Sequence, residues 1–383
     1  MLYHVFHRLT RNEQIWLTFD KLYKAGDNGE YFFQYCQKHP RDHIECFYIL
    51  DKKSNDYARL KNNEHVLKFK SLKSRLVALN ATAVFATHAD AHNFLGIHKT
   101  YEDYLRDLLN YDVFCIQHGL TIQDIPNLQN RLRDNTKLYF IASPLEAKNL
   151  AKPDYNYDKS QLIPAGLARF DGLKGKAKKQ ILLAPTWRSS MANENTVAGS
   201  ARPYFDEFKK TDYYQVFQSL LNNQQLKNAA EKYGYEIIYL LHPTLISQAK
   251  DFSTNSKNIK VKIPTGDFNY ETALKESRLM VTDYSGIQYD FAYQQKPIIY
   301  FHPDALPAHY DSSINYETQG FGPIVKTEDT LVAALENAMK NDCKNPPKFQ
   351  KRAEKFFYFH DQKSCARIYQ SALKYIKKKG KNV

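Results

Sequence analysis

Four polar groupings in this 383-residue sequence stand where a short apolar run ends, and each carries residue types able to take up a proton or to bind an anion. Gln117-His118-Gly119 follows Val113 to Ile116. A histidine there can take a proton near neutral pH, and Gly119 would let the chain turn sharply at a sheet edge. Leu241-His242-Pro243 follows Ile237 to Leu240; Pro243 ends the strand and leaves a second imidazole at an equivalent edge. Ala184-Pro185-Thr186-Trp187-Arg188 offers the planar fork of Arg188, which matches phosphate. Thr282-Asp283-Tyr284-Ser285-Gly286-Ile287-Gln288 reads as a strand running into a helix, with Ser285 as N-cap and Gly286 letting a ligand approach the backbone. The unpaired N–H groups of Gly286, Ile287 and Gln288 would then face an anion with the helix dipole behind them. Taken singly, each grouping also fits a structural role: a loop histidine satisfied by a hydrogen bond, an arginine stacked on Trp187, an ordinary capped helix.

Open parallel sheets bind ligands beyond the carboxyl ends of their strands, so the elements that position these groupings matter. Short apolar runs without alternation read as strands buried on both faces: Ile15 to Phe19, Glu45 to Leu50, Val66 to Phe69, Ala83 to Ala86, Val113 to Gln117 and Leu138 to Ala142. Helix-prone stretches separate them, among them Tyr31 to Gln37, Ser71 to Asn80 and Tyr101 to Leu109. The Gly- and Lys-rich passage from Gly166 to Lys179 reads as a linker. Alternation then restarts with strands Gln180 to Ala184, Glu236 to Leu241, Ile259 to Ile263, Leu279 to Thr282 and Pro297 to Phe301. Helices are expected near Tyr213 to Tyr233, Tyr270 to Ser277 and Gly286 to Gln294, with a helical region at about Asn345 to Lys379. Strand, helix, strand in succession predicts parallel sheets covered by helices. The expected division is a Rossmann-like domain over 1–165, a linker over 166–179, a second Rossmann-like domain over 180–344 and C-terminal helices with a basic tail over 345–383, with a cleft between the two halves.

Hydrophobic residues make up 43% and charged residues 25%, ordinary globular usage that excludes disorder over most of the chain. The longest apolar runs fall far short of the ~20 residues a membrane helix needs, and residues 1–10 lack the apolar core of a signal peptide. Five scattered cysteines without a C-x-x-C pair read as reduced thiols in a cytoplasmic protein. Net charge is +13, so an anionic partner is implied: nucleic acid, anionic lipid or a phosphorylated substrate. The basic residues are spread out except at the linker and the C-terminus, and no nucleic-acid motif is present, which argues against nucleic acid. No G-x-x-x-x-G-K-S/T, G-x-G-x-x-G or G-x-S-x-G motif is found. Thr87-His88-Ala89-Asp90-Ala91-His92 alternates metal-capable residues, but no further ligand nearby supports a metal site.

In order along the chain, I-W-L-T-F-D and D-N-G-E-Y-F-F, Q-H-G at 117–119, G-L-A-R-F-D at 166–171 and A-P-T-W-R at 184–188 are joined by L-H-P at 241–243, T-D-Y-S-G at 282–286, D-F-A at 290–292, K-P-I-I-Y-F at 296–301 and G-P-I-V at 322–325. This ordered set resembles the CDP-glycerol glycerophosphotransferase family, the teichoic-acid primases and polymerases and related capsule polymerases. The resemblance implies an α/β fold of GT-B type and transfer of a polyol phosphate from a CDP-polyol to a hydroxyl, with release of CMP. It also implies His118 as general base and His242 as a second essential histidine at the pyrophosphate. The implied substrate-binding set is Gly119, Arg169, Thr186, Arg188, Asp283, Ser285, Gly286 and Ile287, with no metal and no cofactor, the CDP-polyol being a substrate. Implied partners are CDP-glycerol or CDP-ribitol and a polyol-phosphate polymer or lipid-linked acceptor. Gly286 stands where the family often has a second Ser, and Ala168-Arg169-Phe170-Asp171 where it often has Pro-Arg-Asn-Asp, so the polyol stays open, as does polymer synthesis against a single addition. A GT-B glycosyltransferase using a nucleotide sugar is the rival of the same fold. Tyr369, Ala372, Leu373 and Ile376 share a helical face near Lys374, Lys377, Lys378, Lys379 and Lys381. That segment either lies on an anionic membrane, making the protein peripheral on the inner face of the plasma membrane, or is the solvated end of a packing helix.

Overall fold

The computed structural model describes residues 14–101, 104, 109–188, 203–264, 268–308 and 314–380. Two compact units result, Met1–Gly172 together with Tyr358–Val383, and Leu173–Phe357.

The first unit is built on seven strands: β1 (Gln14–Thr18), β2 (Ile44–Leu50), β3 (Val66–Lys68), β4 (Ala81–Ala86), β5 (Asp112–Cys115), β6 (Thr136–Ile141) and β7 (Leu162–Pro164). They pair in the order β3-β2-β1-β4-β5-β6-β7, every pair parallel. Both sheet faces are covered, which is why these strands read as apolar runs without alternation. One face packs Trp16, Phe32, Phe85 and Phe114, the other Leu17, Val84, Phe94 and Val113. The order reverses between β1 and β4, so the carboxyl ends of those strands flank the switch point at which such sheets form a crevice.

The second unit holds β8 (Gln180–Leu183), β9 (Glu236–Leu240), β10 (Ile259–Lys262), β11 (Leu279–Thr282), β12 (Ile298–Phe301) and β13 (Ile324–Val325) in the order β10-β9-β8-β11-β12-β13, again all parallel. Its switch point lies between β8 and β11. The expected helix over 213–233 is two helices, Asp212–Asn222 and Gln224–Tyr233. Asn223 ends one and caps the next, its Oδ1 accepting the Leu226 N–H at 3.0 Å, so the polar side chain breaks an otherwise continuous periodicity.

The stretch 166–179 is divided between the units rather than set apart as a linker. Ala168–Gly172 is a 3-10 turn whose Ala168 and Phe170 are buried, and Asp171 caps a helix 193 residues away, accepting the Ser364 and Cys365 N–H groups at 2.8 and 2.9 Å. The C-terminal region also divides. Helix Pro347–Phe356 packs in the second unit, where Phe356 stacks on Tyr289 at 5.4 Å, whereas helix Ser364–Gly380 returns to the first.

This return corrects the membrane-facing alternative for the C-terminal helix. Tyr369 lies 5.0 Å from Trp16 ring to ring, Tyr369 and Ala372 are buried, and Leu373 and Ile376 pack against the same core. Burial of each large apolar side chain is worth about 1.5–3 kcal/mol, so this face is committed to the fold. Lys379 Nζ pairs with the buried Asp112 carboxylate at 2.9 Å and Lys377 with Asp42 at 3.3 Å, so part of the basic cluster is engaged within the unit. Lys381, residues 1–10 and most of the expected Tyr101 to Leu109 helix lie outside the described residues. No helix among the described residues is long and apolar enough to cross a membrane.

Candidate active site

In the first unit, three strand ends supply the polar groups. The loop after β1 carries Asp20, whose carboxylate sits over the start of helix Asn28–Lys38 and accepts N–H groups from Gly29 at 2.5 Å and Glu30 at 3.2 Å. A Cβ on Gly29 would lie 2.6 Å from the Phe19 carbonyl carbon and 2.7 Å from Asp20 Oδ1, so only glycine permits this approach. An internal carboxylate thus occupies the helix N-terminus where a nucleotide phosphate would otherwise bind. Burial, reinforced by the neighbouring Asp27, pushes the Asp20 pKa up to about 7.

His118 follows β5. Its neighbour Gln117 points inward, donating to the Phe140 carbonyl at 3.3 Å and to Glu146 while accepting from Thr121 Oγ1 at 2.8 Å. Glu146 is fully buried and also accepts the Thr121 and Ala142 N–H groups at 2.9 and 2.8 Å. Burial raises its pKa to about 7 against the pull of those donors. With Gln117 anchored below, the alternation of side chains sends His118 outward. The His118 ring reaches solvent, yet protein crowded around it pushes its pKa down to about 4; Asp27 opposes this shift, whereas Lys21, Arg169 and His88 add to it. An open ring keeps part of its hydration, and the direction alone leaves the imidazole neutral and able to accept a proton at pH 7.

Arg169 is placed beside His118, where Nη1 donates to the His118 carbonyl at 2.5 Å and to Asp27 Oδ1 at 2.6 Å. Gly119 does not have a positive φ, and a Cβ there would meet nothing within 4 Å, so neither conformation nor space demands the glycine that the sharp-turn reading expected.

Sequence reasoning set His88 aside as part of a doubtful metal set. It stands at the end of β4, the strand adjoining β5, with Nδ1 3.6 Å from the buried Asp134 carboxylate. A second imidazole therefore shares the His118 edge, near a buried carboxylate but not hydrogen-bonded to it among the described residues. The signal that could have found it was its position two residues beyond an apolar run, as at His118. Among the described residues no group of three His, Cys, Asp or Glu is arranged to hold a metal ion.

In the second unit, β8 and β11 bring Thr186, Arg188 and Asp283 together across the switch point. Arg188 is buried, and its donors are committed to the protein: Nη2 to Asp283 Oδ2 at 2.9 Å and the Leu306 carbonyl at 3.0 Å, Nη1 to the Thr186 carbonyl at 2.8 Å, and Nε to the Pro307 carbonyl at 2.9 Å. Where a phosphate-binding fork was expected, the guanidinium is turned to protein groups and braces two loops. Asp283 Oδ1 completes the brace by accepting the Thr186 N–H at 2.8 Å. Thr186 Oγ1, by contrast, is buried with no hydrogen-bond partner among the described residues.

The helix after β11 runs Ile287–Tyr293 with Gly286, not Ser285, as its N-cap; Ser285 Oγ makes only a 3.5 Å contact with the Ile287 N–H. Gly286 has φ −62 and open space where a Cβ would be, so the backbone there is accessible. The Gln288 N–H, expected to face an anion, is instead turned to the Ser285 carbonyl at 3.2 Å.

His242 follows β9, and Pro243 begins the next turn as expected. Its Nδ1 accepts the Thr244 N–H at 3.2 Å, which places the proton of the neutral ring on Nε2 and makes that nitrogen a donor. Trp187 lies 6.2 Å from the His242 ring. His302, at the end of β12, was not read from the sequence; it stacks on Tyr284 at 4.3 Å and sits 3.3 Å from the Asp283 carbonyl. Burial lowers its pKa.

Residues 1–374 match the family described as CDP-Glycerol:Poly(glycerophosphate) glycerophosphotransferase. The minor teichoic acid biosynthesis protein GgaB of Bacillus subtilis (strain 168) is 32% identical over 377 residues, covering 97% of this chain and 41% of that protein. The teichoic acid poly(glycerol phosphate) polymerase of the same organism is 27% identical over 209 residues, 51% of this chain and 24% of the relative. The chain thus spans less than half the length of these two relatives. Among solved structures, the wall teichoic acid polymerase TagF superposes with a TM-score of 0.65 at 16% identity over 99% of this chain and 93% of that one. A UDP-N-acetylglucosamine 2-epimerase from Listeria monocytogenes gives 0.58 at 13% identity over 96% and 97%. These likenesses show the fold, an α/β architecture of GT-B type.

Proposed function

Because the chain belongs to the CDP-glycerol:poly(glycerophosphate) glycerophosphotransferase family, we propose that it transfers a polyol phosphate, glycerol 3-phosphate in the first instance, from a CDP-polyol to a hydroxyl of a teichoic-acid-like or capsular polymer or its lipid-linked primer, releasing CMP. The observation that carries the reading is His118: an imidazole kept neutral at pH 7 and held at a strand end in a sheet whose first helix N-terminus is already filled by Asp20. That unit is suited to an acceptor hydroxyl rather than to a nucleotide phosphate.

In the proposed reaction the acceptor oxygen attacks the distal phosphorus of the donor while His118 takes its proton. The P–O bond to CMP breaks, and charge grows on the departing phosphate and on the transferred phosphoryl oxygens. Thr186 Oγ1, the N–H groups of Gly286 and Ile287 and the Nε2 proton of His242 supply donors for that charge. Arg188 and Asp283 hold the Thr186 backbone in place. His88, whose Nδ1 lies 3.6 Å from Asp134, is the second candidate for handling the acceptor proton. Phosphoryl transfer depends chiefly on positioning and electrostatics, so this set suffices without a cofactor, and any divalent ion would arrive with the donor. Lipid contact, where the acceptor is membrane-borne, falls to exposed ammonium groups such as Lys374 and Lys378.

The test is CMP release from CDP-glycerol and from CDP-ribitol, with and without a short polyol-phosphate acceptor, for the native chain and His118→Ala. Acceptor-dependent release that the variant loses supports the reading and identifies the donor. Release of a nucleoside diphosphate from a nucleotide sugar, with none from either CDP-polyol, overturns it.

A further inference from the structure

We propose that Asn28 and Arg169 are positioning residues for the His118 imidazole, acting by gripping the two peptide planes on either side of its Cα. The proposal rests on the reading of His118 as proton acceptor. The plane before His118 ends in the Gln117 carbonyl, which accepts a hydrogen bond from Asn28 Nδ2. The plane after it ends in the His118 carbonyl, which accepts one from Arg169 Nη1 at 2.5 Å.

The two grips are tied to each other. Asn28 Oδ1 accepts the Arg169 backbone N–H at 2.9 Å, and Asp27 Oδ1 accepts both the Arg169 guanidinium at 2.6 Å and the Asn28 N–H at 2.8 Å. The circuit closes through residues 89 and 141 positions from Asn28, so no local turn accounts for it. With both flanking carbonyls directed, φ and ψ of His118 are set, and with them the direction of its Cα–Cβ bond. The Gln117 side chain, held by Glu146 and Thr121, fixes the same backbone from within.

Asn28 is 1% exposed and uses both ends of its amide. Only an amide offers a donor and an acceptor at this reach: aspartate keeps the acceptor, alanine keeps neither. A displacement of about 1 Å in a reacting group can cost of order a hundredfold in rate, so a clamp that makes no contact with substrate still controls turnover.

The test uses the full chain and the variants Asn28→Ala, Asn28→Asp and Arg169→Lys. His118 is followed by the NMR titration of its ring C–H, identified by its loss in His118→Ala, alongside kcat and donor KM for CMP release. The charged and titratable groups acting on the ring are Asp27, Lys21, Arg169 and His88. Arg169→Lys preserves every one of those charges, so a shift in that variant reports geometry. We expect kcat to fall tenfold to a hundredfold in Asn28→Ala with donor KM within twofold, an intermediate fall in Asn28→Asp, and the His118 titration to move from about 4 towards 6.5 in Asn28→Ala and Arg169→Lys. Titration curves that superimpose on the native one in these folded variants, or an unchanged kcat, overturn the clamp. If Asn28→Ala does not fold, Asn28→Asp and Arg169→Lys decide. If the native chain transfers nothing from any CDP-polyol, the proposed function fails while the titration still judges the clamp.

Discussion

Arg188 Nη2 lies 2.9 Å from Asp283 Oδ2, and both side chains are less than a tenth exposed. A buried pair of this kind, bridging the ends of β8 and β11, holds the second switch point in shape. Removing one partner leaves the other charge buried and alone, a loss of about 3–5 kcal/mol. Arg188→Ala should therefore lower the melting temperature by several degrees, at about 2–4 °C per kcal/mol for a unit of this size. Differential scanning calorimetry checks this. A variant with native melting and only a raised donor KM would return Arg188 to the phosphate-binding role.

Thr186 behaves differently because its buried hydroxyl has no partner among the described residues. Such a group costs stability unless a ligand satisfies it. Thr186→Val should melt at or above the native temperature while donor KM rises about fivefold to tenfold, the worth of roughly one hydrogen bond. Unchanged donor KM in saturation kinetics would remove Thr186 from the donor site.

The acid limb of the pH profile reports on His118. A lowered pKa keeps the base neutral as pH falls, so kcat/KM should hold down to about pH 5 and decline towards 4, where the ring takes up a proton. A limb centred near 6.5, the ordinary histidine value, would show that the free enzyme does not crowd the ring.

Glu146 carries a separate prediction about stability. Its folded pKa is raised from 4.5 to about 7, so between those values the folded state binds a proton that the unfolded chain has released. Stability linked to this group is present below about pH 4.5 and is lost as pH rises towards 7, by up to about 3 kcal/mol. Asp20, raised to about 7, contributes with the same sign. Urea unfolding between pH 4.5 and 7.5 should show this slope, and Glu146→Gln should flatten it; equal slopes would contradict the assignment.

Much of the architecture was legible because parallel strands buried on both faces leave uninterrupted apolar runs, as in Ile237 to Leu240 or Leu279 to Thr282. β7 escaped because Leu162-Ile163-Pro164 closes on a proline that reads as a turn, and β13 because two residues carry no pattern. The face of Tyr369, Ala372, Leu373 and Ile376 reads identically whether it meets a membrane or a protein core, and only its contacts with Trp16 and its neighbours decide. The positions of His118 and His242 at strand ends followed from the runs before them. The role of Arg188 did not, since its carbonyl partners at Leu306 and Pro307 come from 118 and 119 residues away. The same distance in sequence hid the Asn28 clamp, although D-N-G-E was visible in the resemblance.

The most direct test of the central claim is the mass of the acceptor after incubation with CDP-glycerol or CDP-ribitol, measured together with CMP. The account predicts that one polyol phosphate is added to the acceptor for each CMP released, and that His118→Ala abolishes both. CMP formed without any gain in acceptor mass, or an acceptor that gains a sugar from a nucleotide sugar instead, would contradict it.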